Sequence, residues 1–119
     1  MPKAAHSPSI DQHFADRAPS VKSIYAALLA AARKLGPVSE EAKQTSIHLV
    51  RRTAFAGVAT RKTALILTLK SDSDRPSKRI VKRERTSANR WHLEVRLEQP
   101  AQVDRELAGW LGRAYELAE

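Results

Sequence analysis

The order in which hydrophobic spacing changes along the chain constrains this protein most. Apolar residues recur at helical spacing as far as Leu35. They alternate at a spacing of two from Thr45 to Leu97, and return to helical spacing after Pro100. Each period buries one face of its element, so the strands need a cover and the two helices supply it. The pattern predicts a small α+β domain. It consists of an antiparallel sheet of four to five strands flanked by an N-terminal and a C-terminal helix packed on one face. A length of 119 residues suits one such domain, and no internal repeat is visible.

The first helix is expected from Pro19-Ser20, with Ser20 as a candidate cap and Ile24, Leu28, Ala31 and Leu35 on one face. Tyr25, Leu29 and Ala32 widen that stripe. Gly36-Pro37 ends the helix, with Gly36 as a left-handed C′ residue and Pro37 blocking continuation. Three strands follow around Ile47–Leu49, Phe55–Thr60 and Ala64–Leu69, joined by the short connections Arg52-Thr53 and Arg61-Lys62, so neighbours should pair antiparallel. Gly57 inside a strand suggests a bulge or a close backbone approach. The opening residues, 1–12, are expected to be a flexible tail before a single domain over 13–119.

The clearest strand places Trp91, Leu93, Val95 and Leu97 on one face and His92, Glu94, Arg96 and Glu98 on the other. The segment 78–86 before it is charged enough to be a loop, yet pairs well as a strand. A three-residue turn sets Thr86 opposite Arg90, Val81 opposite Val95, Lys82 opposite Glu94 and Lys78 opposite Glu98. The last helix carries Val103, Leu107, Trp110, Leu111, Ala114 and Ala118 at helical spacing, with Asp104 and Glu106 at the end where carboxylates are favoured.

The chain has no cysteine, which excludes disulfides, thiolate nucleophiles and cysteine-bound metal. No apolar run reaches the ~20 residues of a membrane-spanning helix. The first twenty residues lack the apolar core of a secretory signal, so the expected location is cytoplasmic with no membrane partner. The formal charge is +8, and it is not evenly distributed. Residues 51–90 hold 12 Lys+Arg and three Asp+Glu, a net +9, and the rest of the chain sums to −1. This segment points to an anionic partner, with nucleic acid first, because arginine forks match phosphates. The candidate contacts are Arg51, Arg52, Arg61, Lys62, Lys78, Arg79, Lys82, Arg83, Arg85 and Arg90, with Arg75 nearby. In an up-and-down meander Arg51-Arg52 lies away from Arg61-Lys62, which argues against one continuous patch.

Phe14, the Tyr25 helix ending in Leu35-Gly36-Pro37-Val38, Thr45, Phe55-Ala56, Arg79-Ile80, Trp91-His92, Asp104, Trp110-Leu111 and Ala114-Tyr115 occur in an order that resembles a known bacterial family. That family is catalogued as domain of unknown function 5655, and the likeness runs from about His13 to Glu116. It implies a fold similar in outline to frataxin-like and double-wing proteins, which bind metals or DNA, and it implies no established activity. The alternative to nucleic acid is a small-ligand or protein-interaction module, with a pocket between helices and sheet formed by Tyr25, Trp91, His92, Asp104 and Tyr115. His92 and Glu94 lie two residues apart on one strand face, a spacing that fits two metal ligands, and His48 is a further strand histidine. No third ligand is identifiable from spacing, so no metal and no cofactor are expected. There is no serine elbow, phosphate-cradling glycine loop or His-Glu-x-x-His helix, so the reading is of a binding protein and not an enzyme.

Overall fold

The computed structural model describes residues 9–119. Residues 1–8, with His6 and most of the expected tail, lie outside the described residues. Ile10 packs against the core, and Asp11–Phe14 forms a short 3-10 turn. Helix α1 spans Pro19–Arg33. Six strands follow: β1 (Ser39–Ala42), β2 (Ile47–Val50), β3 (Ala54–Thr60), β4 (Leu65–Ser71), β5 (Ile80–Ser87) and β6 (Arg90–Leu97). A 3-10 turn at Pro100–Gln102 leads into α2 (Arg105–Leu117). The sheet is wholly antiparallel in the order β1-β2-β3-β4-β6-β5, one strand more than the upper expectation.

One face of the sheet and both helices share a single core. Ile47, Leu49, Val58, Leu65, Leu67, Leu69, Leu93, Val95 and Leu97 meet Val21, Ile24, Leu28, Leu107, Leu111 and Ala114 there. Alternation in the strands and the 3.6 period in the helices place these residues inward together, and their burial supplies the main driving force. Both helices begin at one end of the sheet and finish at the other. The second end is where Tyr115 packs edge-on against Phe55, with ring centroids 5.2 Å apart.

Several local expectations are corrected. The N-cap of α1 is Ala18 with no side-chain cap, because Pro19 occupies the first turn and has no amide to satisfy. Helix α1 ends at Arg33, so Gly36 lies two residues beyond the C-cap Lys34, at φ +151°. Gly57 sits in regular register opposite His48 and Thr68, and the irregularity lies across from β3 between Leu49 and Val50. The β5–β6 turn is tighter than three residues. Ser87 faces Arg90, while Thr86 donates its hydroxyl to the Arg90 carbonyl at 3.2 Å. Lys82 does face Glu94, but Ile80 and not Val81 faces Val95. A shift between Ile80 and Lys82 turns Val81 outward to 59% exposure. The strand starts at Ile80, so Lys78 does not pair with Glu98.

Asp104 starts α2 and ties it to the crossover between β4 and β5. Its Oδ1 accepts from the Leu107 amide at 3.0 Å and from Arg79 at 2.9 Å. The same guanidinium donates to Glu106 at 3.1 Å and to the Gln102 carbonyl at 2.6 Å. The Leu107 amide and then Arg79 hold the Asp104 carboxyl below its ordinary range. Asp72 is lowered likewise, first by its hydrogen bond from Arg113. A carboxyl with a depressed folded-state pKa stabilises the protein above its unfolded value, near pH ~4, and loses that contribution as pH falls through the folded value. Urea melts should therefore show falling stability below pH ~4, with a shallower decline in Asp104→Asn. At neutral pH Asp104→Ala should cost about 1–2 kcal/mol through the lost cap.

Candidate nucleic-acid interface

The antiparallel order distributes the basic residues among several places. Arg51 and Arg52 form the β2–β3 turn, and Arg61 and Lys62 form the β3–β4 turn. Successive turns of a meander fall at opposite ends of the sheet, so these pairs are separated by the length of β3. Lys78 and Arg79 end the crossover. Lys82, Arg83 and Arg85 lie on β5, and Arg90 opens β6. The ten candidates are thus not one patch. The largest group is the hairpin from Lys78 to Arg90 at the sheet edge.

Many of these cations are already engaged within the protein. Arg51 donates to the Tyr115 carbonyl at 3.0 Å in the last turn of α2, and its guanidinium stacks 4.3 Å from that ring's centroid. A cation there neutralises the negative end of the helix dipole. Arg79 is held by Asp104 and Glu106. Arg83 bonds Asp74 at 2.7 Å and the carbonyls of Arg75 and Ser77 at 3.1 Å, fastening the crossover to β5. Arg61 donates to the Thr60 carbonyl.

The rest of the hairpin is different. β5 is an edge strand whose residues are all exposed after Ile80. Among the described residues, Lys78, Lys82, Arg85 and Arg90 have no carboxylate within ion-pair distance. Arg85 is braced by the Ser87 and Ala88 carbonyls at 3.3 and 2.9 Å and lies 5.7 Å from the Trp91 ring centroid. Arg90 donates to the Asn89 carbonyl at 2.8 Å. Carbonyl braces hold a guanidinium in place without cancelling its charge, and each retains free N–H groups for a second acceptor. Trp91 is half-buried under Arg85, not free as a stacking platform.

The residues expected around a pocket between helices and sheet do not converge. Tyr25 and Tyr115 are buried core side chains. Tyr25 donates to Glu40 at 2.7 Å, and Tyr115 donates to the Pro37 carbonyl at 3.0 Å. Burial, and then the Glu40 carboxylate, pushes the Tyr25 phenol well above its ordinary range. Asp104 is the α2 cap, and His92 lies on the opposite face of the sheet.

That opposite face holds a recess of about 270 Å³. Its lining includes Ser46, His48, Ala54, Gly57, Ala59, Thr68, Lys70 and His92. The register places His48, Gly57 and Thr68 side by side across β2, β3 and β4, and sets Lys70 beside His92 across β4 and β6. Lys70 and Thr68 were not singled out from sequence. The signal was present: alternation in β4 puts both on the polar face, beside the small residues of β3. Among the described residues no three His, Asp or Glu side chains cluster as a metal site requires. No helix among them is long and apolar enough to cross a membrane.

In comparisons with known proteins, no curated protein and no solved structure matches the chain. One family model does, over residues 10–118, which covers both 3-10 turns, both helices and all six strands. The chain therefore belongs to the family described as Domain of unknown function (DUF5655).

Proposed function

We propose that this chain is a nucleic-acid-binding module, not an enzyme, that contacts the phosphate backbone through its β5–β6 hairpin. The observation that supports this is the set Lys78, Lys82, Arg85 and Arg90. These four cations have no acidic partner among the described residues: Lys82 and Arg85 lie on the exposed edge strand β5, Lys78 stands just before it, and Arg90 opens β6 across the turn. A projecting basic hairpin can follow a phosphate backbone, and guanidinium forks match phosphate oxygens in pairs. Contacts of this kind give register and affinity but carry no base information, so the expected binding tolerates any sequence.

A salt titration against duplex and single-stranded DNA tests the proposal. Four phosphate contacts predict a log–log slope near −3.6, so affinity should fall on the order of a hundredfold between ~50 and ~200 mM salt. Binding no tighter than that of a lysine-matched control peptide would sink the idea. The cations would then serve only to keep an edge strand from pairing with other chains, a common use of charge at sheet edges.

A further inference from the structure

We propose a second site, distinct from the hairpin: the recess on the uncovered face of the sheet binds a small flat anion, a ring carrying a carboxylate or phosphate.

The first support is the shape of the recess and what leaves it empty. The central strand β3 presents Ala54, Gly57 and Ala59 to the recess. Glycine and alanine are poor strand residues, and glycine in a strand interior weakens the strand relative to alanine. Nothing in the fold requires the glycine. Gly57 has no positive φ, and a Cβ built on it would meet only the Thr68 Cβ at 3.9 Å and the His48 Cδ2 at 4.0 Å, ordinary contact distances. A locally unfavourable residue with no structural compensation is the pattern expected where space itself is used.

The second support is the chemistry of the rim. Its polar members are the hydroxyls of Ser46 and Thr68, the imidazoles of His48 and His92 and the ammonium of Lys70. The nearest carboxylates in register, Glu41, Glu94 and Glu84, stand across from His48, Thr68 and His92 outside the lining. Each neutral imidazole can donate one N–H, so every polar group of the rim can donate to an anion. Lys70 is half-buried beside His92 and has no ion-pair partner among the described residues. A hydrogen bond from a charged donor to an anionic group is among the stronger polar contacts available to such a site. The floor is pleated backbone carrying nothing larger than methyl groups, which suits a ring lying flat. The volume lies just under the usual range for small-molecule pockets, which limits the ligand to one ring with its anionic group.

Benzoate and phenyl phosphate carry this chemistry from two sources, and inorganic phosphate carries the charge without a ring. Titration of the ¹⁵N-labelled protein with each should shift the amides of Gly57, Thr68, Lys70 and His92, with the ring-bearing probes binding in the millimolar range or tighter and more strongly than phosphate. The stronger of the two ring-bearing probes identifies the source. Lys70→Gln should weaken binding by about tenfold or more. Gly57→Val, a residue favoured in strands, should remove the ring-dependent gain while leaving the protein folded, as judged by its amide dispersion. Gly57→Ala is the milder second variant. No shifts at these amides with any probe, or ring-bearing probes bound no better than phosphate and insensitive to Gly57→Val, would overturn the assignment. The hairpin variants discussed below leave this titration unchanged, so the two sites stand or fall separately.

Discussion

Gly36→Ala is expected to destabilise the domain by about 2–4 kcal/mol, lowering the melting temperature by roughly 10 °C. Two effects add at this position. The backbone holds φ at +151°, a region that side chains other than glycine enter only with strain. A Cβ there would also overlap the Tyr115 hydroxyl. That hydroxyl cannot simply swing away. The ring is buried against Phe55 and under Arg51, and the oxygen is anchored to the Pro37 carbonyl at 3.0 Å. Displacing it breaks a partly buried hydrogen bond, worth about 1 kcal/mol, and disturbs the packing where α2 closes on the sheet. Tyr115→Phe removes the overlapping atom, so Gly36→Ala should cost less when combined with Tyr115→Phe than in the parent. Gly57→Ala is the contrasting control, expected to be neutral or mildly stabilising because its Cβ meets only ordinary contacts. Equal losses at both glycines would show that Tyr115 does not dictate the residue at 36.

The frame of the protein was legible in its sequence wherever burial had one consistent period. Ile24, Tyr25, Leu28 and Ala32 of the expected stripe are buried on α1, although Leu35 falls beyond the helix and is 40% exposed. Leu93, Val95 and Leu97 form one strand face, so both elements and their orientation follow directly. β1 was not legible, because Ser39-Glu40-Glu41-Ala42 shows no apolar alternation. Its inward-facing residues are Glu40 and Ala42, and Glu40 is made tolerable there by the Tyr25 hydroxyl and by Arg33 at 3.4 Å, partners on a different element of the chain. The placement of β6 between β4 and β5 was equally hidden, since strand order is a long-range property. It is secured by Arg79 and Arg83, whose acidic partners Asp104, Glu106 and Asp74 give local composition no sign of pairing. The same two arginines explain why the +9 segment overstated the interface: sequence counts charges but does not show which are already balanced. The expected aromatic pocket failed for a related reason. Tyr25 and Tyr115 have polar tips that already find partners inside the protein, so they fill the core instead of opening it.

Substituting Lys82 and Arg85 together with glutamine is expected to weaken DNA binding roughly a hundredfold at ~50 mM salt and about tenfold at ~200 mM. The log–log salt slope should drop from near −3.6 to near −1.8, because two of four phosphate contacts are gone and each releases its own counterions. Stability should change by no more than a few tenths of a kcal/mol, since Lys82 is exposed opposite Glu94 and Arg85 bonds only turn carbonyls of its own hairpin. The matched control is Arg61→Gln with Lys62→Gln, which removes the same charge from the β3–β4 turn. If affinity followed net charge alone, both pairs would have the same effect. If the hairpin is the contact surface, only the first pair changes the slope. Arg83→Gln separates the two uses of arginine on this strand. It should cost stability through the bonds to Asp74, Arg75 and Ser77 while leaving the salt slope almost intact, because that guanidinium is already balanced within the protein. A slope that falls equally for all three variants would show that the anion meets a diffuse field and not the edge of the sheet.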